Sequence, residues 1–242
     1  MLKLLIATSL ASVLVLSGCS RKGAEAEAGD GARVELPEQA MGRTSEYDYD
    51  PPVPGTYRLP RIRTAAGGRI LGPGGRRRDL GELLDGRITI LSFVYTRCAD
   101  PRACPYATGV LSDVHRISEQ DPVLAKNLQL LTFSFDPEHD TPQVMQDYAE
   151  NLRTEGLGAD WFFLTTEGPE ELAPILDGYG QVVDAKKNAN DPLGPYYHTL
   201  RVYLIDPNRA VRNIYSFGML DPRLLLADVR TLLLERNSAA VR

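Results

Sequence analysis

Two of the three cysteines in this chain, Cys98 and Cys104, stand in the stretch YTRCADPRACPYA, residues 95–107. Five residues separate them. That is wider than the C-x-x-C of a redox helix, and no second cysteine pair follows to complete a four-sulfur zinc site. Pro105 suits the first turn of a helix, so Cys104 is expected at or beside a helix N-terminus, where the dipole and free N–H groups favour a thiolate. Arg97 and Arg102 add positive potential. Two easily ionised thiols in one loop are soft ligands, suited among biological metals to Cu(I).

A soft site of this kind needs a further donor, and the chain offers three histidines, His115, His139 and His198. His198 opens the apolar run HTLRVYLID after a loop rich in Gly, Pro, Asn and Asp. Taken alone, it reads as a surface histidine at a loop end. Beside a C-x5-C loop it reads as a ligand, because two thiolates and one imidazole make a trigonal set for Cu(I) and can hold Cu(II) with a fourth donor. His115 falls among the apolar positions Leu111 and Val114 and reads as a half-buried packing residue. His139 lies in the polar turn DPEHD and reads as solvated, as do the carboxylates around it. Met219 could supply a thioether, but packing or exposure accounts for it more simply.

The elements around these residues alternate between strand and helix. ITILSFVY, residues 88–95, and LQLLTFSF, residues 128–135, read as buried strands. Between them, Ala107, Val110, Leu111, Val114 and Ile117 carry helical spacing over 106–119. Thr141 caps a helix to about residue 152. A short strand at 161–165 and a helix over 169–179 follow. Residues 198–206 and 211–217 form a hairpin turned at Asp206-Pro207-Asn208. A final amphipathic helix covers 224–235. This order is that of a thioredoxin-like α/β fold, a three-layer sandwich with a central mixed sheet. In such a fold the loop after the first central strand lies at the carboxyl ends of the strands, where α/β sheets bind ligands. Cys98 and Cys104 occupy that loop, and the loop before His198 is expected beside it.

The first residues set the compartment. Met1-Leu2-Lys3 precedes an uncharged apolar run, Leu4 to Leu16, and then Leu16-Ser17-Gly18-Cys19. The run is short for a bilayer span, so a processed export signal over 1–18 is expected. The quartet resembles the lipobox of bacterial lipoproteins, which implies a lipid-modified Cys19 and a lipoprotein of the bacterial cell envelope facing the periplasm. A plain secretory signal is the alternative. With Cys19 lipidated, Cys98 and Cys104 remain as the thiols of an oxidising compartment. They must pair as a disulfide, bind a metal or cycle between the two. Residues 19–54 read as a tether, small and charged at first and closed by Pro51, Pro52 and Pro54. Residues 55–242 are the folded domain. Removal of residues 1–18 takes away one lysine, so the net charge of −5 becomes −5 − 1 = −6, which argues against nucleic acid as a partner.

Three strings, ILSFVYTRC with the CP that follows, FSFDPEHDTPQVMQDYA and HTLRVYLIDPN, resemble the Sco/SenC family from about Leu80 to the C-terminus. That family is similar to thioredoxin in fold, is membrane-tethered, and delivers copper to the binuclear site of cytochrome c oxidase. The resemblance implies copper, as Cu(I) or Cu(II), held by Cys98, Cys104 and His198. It also implies a cytochrome c oxidase subunit or another copper acceptor as partner, and a support role for the turn Asp136-Pro137. The family typically has C-x-x-x-C-P, so the loop here is two residues longer. It commonly has Asp before the histidine, where Tyr197 stands here, so a negative partner for the imidazole is missing at that position.

The second candidate function is an extracytoplasmic thiol–disulfide reductase acting on cysteines of the oxidase or other periplasmic proteins. It needs the same two thiols and no histidine. A peroxidase of the peroxiredoxin kind ranks low, because the proline-threonine context ahead of its reactive cysteine is absent. A structural disulfide across a C-x5-C loop would contribute about 2 kcal/mol. No carboxylate pair or phosphate-cradling loop points to hydrolysis, so the chain is not expected to be an enzyme beyond possible dithiol redox activity.

Overall fold

Residues 49–154 and 156–240 are described in a computed structural model of the chain. The apolar run, Cys19 and most of the tether lie outside the described residues. No helix among the described residues is long and apolar enough to cross a membrane.

The two apolar runs form the centre of the sheet. Strands β4 (Ile88–Val94) and β5 (Leu128–Ser134) are buried at every position and pair in parallel, Ile88 opposite Leu128. Burial on both faces explains why they read as unbroken runs rather than alternating ones. Four more strands complete a six-stranded mixed sheet: β1 (Arg63–Thr64), β6 (Asp160–Leu164), β9 (Val202–Ile205) and β10 (Ala210–Tyr215). The order is β1-β10-β9-β4-β5-β6, with β4, β5 and β6 parallel and β9 antiparallel to β4.

The two faces bury different helices. Ile88, Ile90, Leu128 and Leu130 point to one side, against α2 (Cys104–Glu119), α3 (Pro122–Asn127), α4 (Pro142–Ala149) and α6 (Pro222–Ala240). Leu91, Phe93, Leu131 and Phe133 point to the other, against α1 (Leu80–Leu84) and α5 (Pro169–Tyr179). This is the three-layer thioredoxin-like sandwich. Two polar side chains inside the strands find hydrogen-bond partners. Gln129 donates to the Leu83 carbonyl and to Thr89 Oγ1, and Trp161 Nε1 donates to Thr132 Oγ1 at 3.0 Å.

Several boundaries differ from the sequence expectation. Helix α2 starts two residues earlier, at Cys104 itself, with Pro105 in its first turn. Thr141 caps α4 by accepting from the Val144 amide, but the helix ends at Ala149. A hairpin of β2 (Arg69–Leu71) and β3 (Arg77–Asp79) precedes α1. These elements are too short for periodicity to reveal. The largest difference concerns His198. It does not open a single strand running to residue 206. It ends β8 (Tyr196–His198), which pairs with β7 (Val183–Ala185) in a separate two-stranded ribbon, Val183 opposite His198. The chain breaks at 199–201, where Gln181 Nε2 donates to the Thr199 carbonyl at 2.8 Å, and β9 then joins the main sheet. His198 therefore stands on an arm, and the cysteines stand on the body.

Candidate metal centre

The cysteine loop leaves β4 through Tyr95 and is fixed at each of its next two residues. Asp140 accepts from the Thr96 amide at 3.0 Å and from the Thr96 hydroxyl at 2.5 Å, and Ser134 Oγ donates to the same carboxylate at 2.5 Å. Arg97 pairs with Asp136 at 2.6 Å. Asp136 and Asp140 are both buried. They are the outer acids of DPEHD, so the solvated turn expected for those carboxylates is corrected here. The turn follows β5, whose carboxyl end lies beside that of β4, and so both acids face inward, where they bind the loop's backbone and side chains. The support role implied for the Asp136-Pro137 turn takes this concrete form. The positive potential expected of Arg97 is largely neutralised by its ion pair with Asp136.

The lengthened loop is folded on itself. Asp100 accepts from the Arg102 amide through its side chain and from the Ala103 amide through its carbonyl. The Arg102 guanidinium lies over the Phe217 ring at 5.9 Å. The two additional residues are thus taken up in a local turn, and Cys104 still opens α2. Both cysteines are free thiols, Cys98 partly exposed and Cys104 buried.

His198 reaches this loop from the arm. Its Nε2 lies 3.9 Å from Cys98 Sγ and 3.6 Å from Cys104 Sγ. One donor atom from each of the three residues lies within 4.8 Å of the others. An ion about 2.3 Å from sulfur and about 2.05 Å from nitrogen requires an S···N separation of about 3.6 Å at tetrahedral angles and about 3.8 Å at trigonal ones. The two observed S···N spacings match those values, so the imidazole is placed to share one ion with each sulfur. The imidazole is set by packing. Phe135 lies tilted at 5.1 Å and Tyr95 stands edge-on at 5.7 Å. The buried Nδ1 has no hydrogen-bond partner among the described residues. Tyr197, at the position where a carboxylate would sit, is exposed, with the Lys186 ammonium 5.2 Å over its ring.

The two thiols are not equivalent, which the sequence alone does not distinguish. The sequence reads both thiols as easily ionised, with the helix N-terminus favouring a thiolate at Cys104. Burial pushes its pKa well above the ordinary thiol value, and its neighbour Cys98 pushes it further. Cys98 is pulled down to about 4, chiefly by the hydrogen bond from the Cys104 thiol, with His198 and backbone donors adding to it against the opposing effect of burial. Desolvation of Cys104 outweighs the N-terminal dipole. The free site is therefore a Cys98 thiolate hydrogen-bonded by a Cys104 thiol. Burial and the nearby Cys98 charge push the Tyr95 phenol above its usual range.

The other candidates lie elsewhere. His115 is fully rather than half buried, 5.6 Å from the Trp161 ring, with burial lowering its pKa. His139 is exposed and Met219 is half exposed. Sequence reasoning missed Tyr196, whose hydroxyl donates to Asp136 Oδ1 at 3.0 Å and so ties the arm to the acid that holds the cysteine loop. It also underrated Asp140. The available signal was a pair of short acids four residues apart, directly after a central strand.

The SCO1/SenC family model matches residues 76–234 of this chain. A SCO1 protein homolog from Bacillus subtilis is 25% identical over 136 residues, which is 56% of this chain and 65% of that protein. The chain thus spans slightly less than two thirds of that relative. Among solved structures, Arabidopsis thaliana ScoI with copper bound is similar with a TM-score of 0.60 at 21% identity, covering 72% of this chain and 99% of that one. BsSco, described as having a disulfide switch and as a member of the Sco family of cytochrome c oxidase assembly proteins, is similar with a TM-score of 0.58 at 21% identity, covering 73% and 96%. At these identities the structural likeness establishes the fold.

Proposed function

This chain belongs to the SCO1/SenC family, and from that membership and its donor geometry we propose that it is a membrane-tethered copper carrier. Copper is its cargo, bound by Cys98, Cys104 and His198 and passed to a subunit of an assembling cytochrome c oxidase or to another copper acceptor. The observation that carries this proposal is the meeting of two sulfurs and one imidazole nitrogen within 4.8 Å. The donor set is soft, which suits Cu(I), and the imidazole extends it to Cu(II). Binding requires both sulfurs as thiolates. Cys98 already is one, so uptake displaces the Cys104 proton and is favoured by rising pH. Partial exposure of Cys98 leaves an approach for an acceptor thiolate, which can replace one donor at a time. The tether is the segment 19–54 behind a lipid-modified Cys19, facing the periplasm of a bacterial envelope. The lipobox-like quartet supports this location.

The asymmetric thiols also favour a second reading, thiol–disulfide reduction. Cys98 thiolate attacks a target disulfide sulfur and expels a target thiolate, forming a mixed disulfide. Cys104 then loses its proton and attacks Cys98 sulfur, which closes the Cys98–Cys104 bond and releases the second target thiolate. The target gains two electrons, and an external dithiol must reset the pair.

Copper titration of the reduced protein separates the two. His198→Ala is expected to weaken copper binding at least tenfold while leaving disulfide exchange within a few-fold of the parent, because a lost ligand removes a metal bond and not a nucleophile. Parent-like copper affinity in that variant would show that His198 is not a ligand and would favour the reductase. Oxidation to the Cys98–Cys104 disulfide is expected to abolish Cu(I) binding.

A further inference from the structure

The arm that carries His198 is outside the main sheet, so its position over the cysteine loop depends on local ties. One runs through Tyr95, the first residue after the central strand β4. Tyr95 is buried, and its hydroxyl donates to the Leu193 carbonyl at 3.2 Å. Leu193 belongs to the loop 186–195 that joins the two ribbon strands. That loop is folded on itself by the Lys186 amide bond to the Pro195 carbonyl, the Lys186–Asp191 ion pair and the Gly194 amide bond to the Asp191 carbonyl. It therefore moves as one piece with β7 and β8. The loop is shaped to admit the hydroxyl. Gly194 has φ +101°, and a Cβ there would come within 2.1 Å of Tyr95 Oη, so only glycine lets the backbone close on this group. The ring of the same side chain stands edge-on to His198 at 5.7 Å. One side chain of the body thus bonds the arm's loop and packs on the ligand that the arm carries.

We propose that Tyr95 is a positioning residue for the copper site, its hydroxyl latching the 186–195 loop so that His198 stays over the two sulfurs. The proposal rests on the copper-carrier reading for its purpose, but the latch itself is a property of the copper-free fold. Packing alone would be met by phenylalanine, since the ring contacts with Phe135, Tyr196 and His198 need no hydroxyl. Only the oxygen reaches Leu193 and the notch at Gly194.

Tyr95→Phe isolates that oxygen. In the reduced, copper-free full chain, amide hydrogen exchange across residues 183–198 is expected to rise roughly three- to tenfold, as for loss of one buried hydrogen bond, with exchange in β4 and β5 unchanged. In the Cu(I)-loaded chain, release to a competing chelator is expected to quicken by a similar factor. Arm exchange at the parent rate overturns the proposal. A parent chain that takes up no copper sinks the carrier function, while the exchange comparison still decides the latch. If Tyr95→Phe does not fold, Gly194→Ala puts a methyl on the hydroxyl's position. It must loosen the arm in the same way, and parent-like exchange there overturns the proposal equally.

Discussion

At the residue scale, the site depends on one proton shared unequally between two sulfurs. Cys98 is the thiolate because Cys104, buried at the start of α2, keeps its own proton and donates it. This gives a signed prediction. Cys98 should stay alkylable from neutral pH down to about 5 and lose reactivity only as pH falls through about 4. An ordinary thiol, with a pKa near 8.5, slows about tenfold per unit throughout that range. Cys104→Ala removes the donor, so the profile of Cys98 should move back up toward the ordinary value. Equal reactivity of the variant and the parent at pH 5 would mean that Cys104 does not set the charge. The sequence shows which residues do the chemistry, since soft donors in a helix-leading loop are few. It does not show which thiol ionises, because that depends on burial, and the N-terminal dipole alone points to the wrong one. The same limit applies to Asp140. Its three donors, the Thr96 amide and hydroxyl and the Ser134 hydroxyl, come from two strand ends that only the folded sheet brings together. Asp140→Asn would turn an amide NH2 toward groups that are themselves donors. It is expected to lower stability by about 1–3 kcal/mol in denaturant titration and to weaken copper binding with it. A variant as stable as the parent would remove Asp140 from the account.

At the element scale, the long buried strands and the helix between them were legible because burial on both faces and a 3.6-residue period leave strong patterns over seven or more positions. The arm was not. Val183–Ala185 is three residues with no apolar rhythm, and its partner lies some fifteen residues away. The run HTLRVYLID therefore read as one strand, although its two halves pair with different sheets. The difference matters for function, since a histidine on the main sheet would be fixed, whereas one on a ribbon is held by the Tyr95 and Tyr196 hydroxyls. The elements that flank the sheet are tied more firmly. Asp228 on α6 accepts from Tyr57 at 2.6 Å, Tyr215 at 2.5 Å and Asn213 at 2.8 Å, which joins the segment leading from the tether to β10 and the last helix. Asp228→Ala strands three donors in a buried place and is expected to cost at least about 2 kcal/mol, read as a lower denaturation midpoint. Copper affinity of the folded fraction should be unchanged, because this network is on the α6 side and shares no residue with the site.

At the scale of the whole molecule, the proposed carrier is a domain with an oxidisable thiol pair on a tether of about 35 residues, and a flexible segment of that length would have an r.m.s. span of about 30–35 Å. On the proposed carrier reading, such a span would let the domain reach a membrane-bound acceptor while staying near it. If Cys19 carries the anchor, Cys19→Ala should release the protein from the membrane fraction without altering copper affinity measured in solution. Retention in the membrane fraction would mean another attachment. Fold class was legible because strand, loop and helix signals agreed in order, and the family was legible only through the resemblance carried by three separated strings. The convergence of those strings was not, since no spacing along the chain states a distance across it.

That convergence is the central claim, and X-ray absorption at the copper edge of the Cu(I)-loaded, reduced protein tests it most directly. Two sulfurs at about 2.2–2.3 Å and one nitrogen at about 2.0 Å are predicted, with the nitrogen shell absent in His198→Ala. A parent spectrum with sulfur ligands alone, or one that does not change when His198 is replaced, would contradict it.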